Sequence, residues 1–209
     1  MSGGADRVLL VGASGVIGRA VHALLAETYE VVTAGVEEAQ VALDITDPAS
    51  IASGLAQAGP LAHVVCTAGR AEFVALKDVA PAATAASRYW LGINDKLMGQ
   101  VNLALAAREV LPAGGCVVLT SGTTSDEPIL GGSSLSMVNG ALETWVRAAA
   151  TEFPPGLRIN VVSPGFVRES PAPAHAAFPG FEKLPAEVVA RGYLRCLKSG
   201  LSGQTIRVG

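Results

Sequence analysis

The run VLLVGASGVIGRAV, residues 8–21, decides the fold. Val8, Leu9, Leu10 and Val11 form a short apolar run of strand character that stops at Gly12, and from Val16 the apolar spacing becomes that of a helix. Gly12 ends the strand, Gly15 lets backbone come close to a ligand, and Gly18 lets the helix lie tightly on the sheet. Free N–H groups and the dipole at a helix start favour negative charge, so a pyrophosphate is the expected guest of this turn. Ser14, Val16 and Ile17 complete its expected lining.

Outward from this unit, β-rich runs alternate with helical patterns. YEVVTAG and VALDI read as the next strands, and TDPAS opens a helix with Asp47 as N-cap and Pro48 in the first turn. AHVVCTAG and GCVVLTSG are continuous apolar runs ended by glycine, the pattern of strands covered on both faces by helices in a parallel sheet. A long helix is expected over 89–111 and another over 134–153, followed by the strand LRINVVSPG, a helix over 185–198 and the closing strand GQTIRVG. The stretch 169–184, ESPAPAHAAFPGFEKL, is irregular, since repeated prolines oppose a regular helix. It follows a strand end, where ligands bind in such sheets, and reads either as a substrate lid or as a surface crossover.

Composition narrows the function classes. A net charge of −3 without clustered Lys and Arg argues against a nucleic-acid surface. With 50% apolar and 16% charged residues the chain has enough apolar material for a large core and for buried surface between subunits. Apolar stretches are broken before the ~20 residues a membrane span needs, and the opening residues lack a signal-peptide core. Cys66, Cys116 and Cys196 are isolated, as are His22, His63 and His175, so neither a metal centre nor a disulfide framework is expected. A reducing cytoplasm suits free thiols.

Further ligand contacts fall at strand ends. Asp44, with Ile45 beside it, is placed to accept from an adenine amino group. Thr67, Ala68 and Gly69 end one strand with small residues, and Pro164 and Gly165, with Val167 beyond, end another where a nicotinamide would lie.

With these motifs, RINVVSPG and GQTIRVG included, the chain resembles the short-chain dehydrogenase/reductase family over essentially its whole length. The resemblance implies a single α/β domain spanning 1–209, a three-layer doubly wound Rossmann fold with a seven-stranded parallel sheet. It also implies NAD(H) or NADP(H), a small-molecule carbonyl or alcohol substrate, and a homodimer or homotetramer built on the long central helices. An acidic residue after the second strand would select NAD(H); Ala34, Gly35 and Val36 supply none. Ser14 and Arg19 are available to a 2′-phosphate and Glu37 and Glu38 to a ribose, with NADP(H) slightly preferred.

The family's active site implies Asn, Ser, Tyr and Lys. Ser121 matches the serine. GALETWVRAAATEF resembles the stretch after the lysine, which puts Asn139 at the lysine position and Leu135 at the tyrosine position, on one helix face. Spacing back from Gly114 and Gly115 puts Lys96, rather than Asn94, at the asparagine position. Lysine and asparagine have thus traded helices, and no phenol remains. Lys96, Ser121 and Asn139 are the candidate catalytic residues, with Lys96 also facing the cofactor. Ser134 and Ser136 flank the leucine, Asp126 and Glu127 lie in a loop above, and Glu169 takes the position of a carboxamide-binding threonine. Gly140 suggests close helix approach, one between subunits included, and Tyr89, Trp90 and Trp145 read as core or interface. The missing phenol leaves two other readings open, a non-redox enzyme on the same scaffold and a dinucleotide-binding regulatory protein.

Overall fold

The computed structural model describes residues 7–209; the reading of residues 1–6 lies outside the described residues. The elements run β1 (Arg7–Val11), α1 (Val16–Leu25), β2 (Glu30–Gly35), β3 (Val41–Ala42), α2 (Pro48–Ala58) and β4 (His63–Cys66). A π-helical segment (Gly92–Gly99) then runs into α3 (Gln100–Ala107), followed by β5 (Cys116–Thr120) and α4 (Ser133–Ala149). The chain continues through β6 (Arg158–Pro164), α5 (Ala172–Ala177), α6 (Ala186–Lys198) and β7 (Thr205–Val208).

The strands form one seven-stranded sheet in the order β3-β2-β1-β4-β5-β6-β7. Every neighbouring pair is parallel. Period-2 alternation within the apolar runs sends side chains to both faces. Leu9 and Val11 join one buried cluster with residues of α2, α3 and α4; Val8 and Leu10 join another with residues of α1 and α6. Each fully buried Val or Leu contributes about 1.5–3 kcal/mol, which is why such runs become central strands. This is an α/β Rossmann-like fold. Strand order reverses beside β1, which opens a crevice at the carboxyl ends of β1 and β4.

Local chemistry sets the element ends. Asp47 caps α2 by accepting from Ala49 N at 2.9 Å, with Pro48 in the first turn. A Cβ on Gly18 would lie 2.0 Å from the Gly12 carbonyl oxygen, so only glycine lets α1 sit this close to its own entry turn.

Three expectations need correction. In VALDI the strand is confined to Val41 and Ala42, with a last bond from Leu43 N to Gly35 O at 3.0 Å, because the chain then leaves the sheet edge towards α2. The stretch 169–184 contains α5, since Pro171 precedes it and Pro173 falls in its first turn, where a missing N–H costs nothing. The helix expected over 89–111 is π-helical for its first half, a widening that a 3.6-residue period cannot reveal. Among the described residues a Cβ on Gly140 would meet nothing within 4 Å, so the helix approach it suggests is not made within the described chain.

Candidate active site

Two clefts lie along the strand ends. The first, about 520 Å³, is lined by Gly12, Ser14, Gly15, Asp44, Ile45, Ala68 and Gly69 among others. The start of α1 has no side-chain cap, which leaves its first N–H groups for an anion. Asp44 Oδ1 accepts from Thr46 N at 2.8 Å and Thr46 Oγ1 at 2.7 Å, and these bonds hold its carboxyl below the usual carboxylate value. Its second oxygen remains for a ligand. Residues present in this groove therefore fit the adenosine and phosphates of a dinucleotide.

The second cleft, about 230 Å³, brings Lys96, Ser121, Leu135 and Asn139 together with Ile17, Pro164, Gly165 and Val167. Val16 lines a separate surface depression beside Arg19 and Arg168. The two clefts thus receive most of the residues expected around a cofactor, and the four key active-site positions converge in one of them.

Two consecutive carbonyls at the tip of β5 hold the exchanged pair. Lys96 Nζ donates to Ser121 O at 3.3 Å, and Asn139 Nδ2 donates to Gly122 O at 3.3 Å. Asn139 Nδ2 also bonds Thr124 Oγ1 at 2.9 Å, while Asn139 Oδ1 is buried without a partner among the described residues. A carbonyl only accepts, so Gly122 fixes which end of the amide is which, and Oδ1 is left as an acceptor.

Lys96 is 8% exposed. Burial pushes its ammonium down to about 8, with Asp95 among the groups pulling the other way. Asp95 itself takes Arg70, through Arg70 N at 2.9 Å and Nε at 2.8 Å. Gly69 makes room for the lysine stem: a Cβ there would lie 3.0 Å from Lys96 Cγ. One turn on, fully buried Gln100 donates to Lys96 O at 3.1 Å and Thr120 O at 2.9 Å, and accepts from Thr120 N at 2.7 Å. It ties the π-helical segment to β5.

Several side chains are placed differently from their expected tasks. Ser121 lines the cleft, but its hydroxyl donates to Glu143 Oε1 at 2.8 Å, so its one proton is committed to a carboxylate. Glu143 is buried and also receives Ser125 Oγ at 2.9 Å. Asp126 pairs with Arg207 at 2.7 Å, and Glu127 is exposed. Glu169 accepts from Ala186 N at 2.9 Å and serves the start of α6. Ser134 and Ser136 have buried hydroxyls without partners among the described residues and do not line the cleft. Arg19 bonds the Ser14 carbonyl. Tyr89 OH meets Ser133 Oγ at 2.9 Å, and Trp145 packs on the core.

Sequence reasoning missed Gln100, Thr124 and Glu143, whose partners lie 15 to 22 residues away. It also missed the aromatic roof, in which Phe166 stacks on Phe178 at 4.6 Å and Phe73 meets Phe178 edge-on at 6.4 Å. The one available signal for the roof was the phenylalanine content of the irregular stretch. Among the described residues there is no cluster of metal-ligating side chains, and no helix is long and apolar enough to cross a membrane.

Residues 4–199 match the family model described as Enoyl-(Acyl carrier protein) reductase. The chain is 32% identical over 137 residues to the short-chain dehydrogenase/reductase ATR9 of Stachybotrys chlorohalonatus. That match covers 66% of this chain and 51%, about half, of the relative's length. Among solved structures, protein lin1944 from Listeria innocua superposes with a TM-score of 0.92 at 36% identity, over 98% of this chain and 100% of that one. A small-chain dehydrogenase in complex with NADPH superposes with a TM-score of 0.83 at 25% identity, over 97% and 96%. Sheet order, glycine turn and family match agree: the chain belongs to the short-chain dehydrogenase/reductase family of NAD(P)-dependent oxidoreductases.

Proposed function

We propose that this protein transfers hydride between a nicotinamide dinucleotide and a small carbonyl or alcohol, with Lys96 as the proton donor in place of a phenol. The observation that carries the reading is the buried ammonium of Lys96, anchored to the Ser121 carbonyl inside the cleft that also contains Leu135 and Asn139. The cofactor, when bound, supplies or accepts the hydride. Gly12, Ser14, Gly15 and the start of α1 hold its phosphates, and Asp44 and Ile45 its adenine. Asn139 Oδ1 accepts from a ribose hydroxyl, satisfying an atom that is otherwise buried and alone.

NADP(H) is the cofactor of this reading. Arg70 lines the adenosine groove near Asp44, and the small-chain dehydrogenase at 25% identity is in complex with NADPH. For reduction, Lys96 Nζ gives a proton to the carbonyl oxygen as hydride reaches the carbon. The neutral amine then takes a proton from water. In oxidation the same amine accepts the alcohol proton. Leu135 and Phe73 keep water from the reacting atoms. Trp90, Met98 and Met137 form exposed apolar surface on the π-helical segment and its surroundings, and open space at Gly140 supports a second copy covering α4.

Lys96→Met tests the reading. NADPH binding, followed by fluorescence, is expected to persist, while carbonyl-dependent NADPH oxidation falls about 10³-fold. Unchanged turnover in the variant would remove Lys96 from the chemistry.

A further inference from the structure

We propose that Thr124 is a further catalytic residue, its hydroxyl donating a hydrogen bond to the reacting oxygen of the substrate; this rests on the reductase reading above. Thr124 sits in the single 3₁₀ turn (Thr123–Ser125) between β5 and α4, lines the second cleft and is 3% exposed. Among the described residues its side chain has one hydrogen bond, in which it accepts from Asn139 Nδ2 at 2.9 Å. That direction is set by chemistry, because Asn139 Nδ2 also faces the Gly122 carbonyl and must be the donor end of the amide. A threonine hydroxyl carries one proton, and here no protein acceptor takes it. The proton is therefore free for a ligand in the cleft.

Other hydroxyls are less suited. Ser121 has spent its proton on Glu143. Thr123 lines the cleft half-buried, with no group among the described residues orienting its side chain, whereas Thr124 is held by Asn139 before any substrate arrives. An N–H donating to a hydroxyl oxygen polarises the O–H and strengthens its own donation. Asn139 then has two tasks on opposite sides of its amide: Nδ2 orients Thr124, and Oδ1 faces the ribose. Lys96 and Thr124 together make a two-donor site for an oxygen that gains charge as hydride arrives, the arrangement that lowers such barriers. Lys96 gives up its proton; Thr124 keeps its own. Atoms therefore balance as in the single-donor scheme.

The test compares wild type, Thr124→Val and Thr124→Ser, measuring NADPH affinity by fluorescence and kcat and KM for a reducible carbonyl. Valine keeps the shape without the hydroxyl, and serine keeps the hydroxyl without the methyl. Expected for Thr124→Val is a fall in kcat of about 10²-fold with NADPH affinity within about two-fold of wild type, and for Thr124→Ser a kcat within about five-fold. A valine variant that turns over like wild type overturns the assignment. So does a serine variant as impaired as the valine one, which would make the effect one of packing. A wild-type protein that binds NADPH yet consumes none with any carbonyl overturns the reductase reading itself, and is seen without either variant.

Discussion

Lys96 reaches the working range of an acid by a different route from a phenol. A phenol near 10 needs a neighbouring cation to bring it down, whereas an ammonium near 10.4 needs only to lose water. Among the described residues Lys96 has no ion pair, and burial brings it to about 8 while Cys66 and Asp95 oppose. Sign follows from charge. Reduction uses the protonated form, so its rate is level below pH 8 and falls as pH rises through that value; oxidation uses the neutral amine and rises through it. Rates in both directions between about pH 6 and 10 check this, and profiles of the same sense in both directions would assign the proton to another group.

Among the elements, the segment carrying Lys96 depends on one amide. The β4–β5 ladder ends at Val65 and Val118, so Thr120 N and O at the tip of β5 have no strand partner on that side. Gln100 supplies one, bonding both atoms and the Lys96 carbonyl with a side chain fully out of water. Gln100→Leu leaves these buried groups unpaired and is expected to cost about 3 kcal/mol in urea unfolding, at one to a few kcal/mol per orphaned group. A loss below about 1 kcal/mol would mean water replaces the amide. This clamp also marks how far sequence reaches. Continuous apolar runs such as HVVC and CVVLT must be buried on both sides, so the parallel sheet was legible, as was the four-residue spacing that puts Leu135 and Asn139 on one face. The π-helical widening was not, because it changes hydrogen bonding without changing which residues are apolar. Nor was the Ser121 hydroxyl: its rotamer is chosen by Glu143, a residue distant in sequence that becomes a neighbour only when α4 packs on β6 and on the turn after β5.

For the whole molecule, a cleft at the strand tips that strips water from a cation carries a cost in stability. Unfolded, Lys96 titrates at its ordinary 10.5; folded, at about 8. Below pH 8 both states hold the proton, and the folded state bears the full cost of a buried charge. Between 8 and 10.5 the unfolded chain binds more protons than the folded one, so this contribution to stability rises with pH until the cost is gone. The buried thiols of Cys66, Cys116 and Cys196 act in the other direction, burial pushing them up to about 12, 11 and 12, so that alkali favours the unfolded chain. The effects of Cys116 and Cys196 are common to wild type and Lys96→Met and cancel in the difference. Cys66, which the Lys96 charge pulls down against its burial, titrates above this pH window. The methionine variant is therefore expected to be the more stable protein at pH 7, by up to about 3 kcal/mol in urea unfolding, with the gap closing as pH rises from 8 towards 10.5. A gap that stays constant across that range would mean the ammonium keeps its water in the folded state. The proton-donor reading would then lose its physical basis, because desolvation is what makes this lysine acidic enough to act.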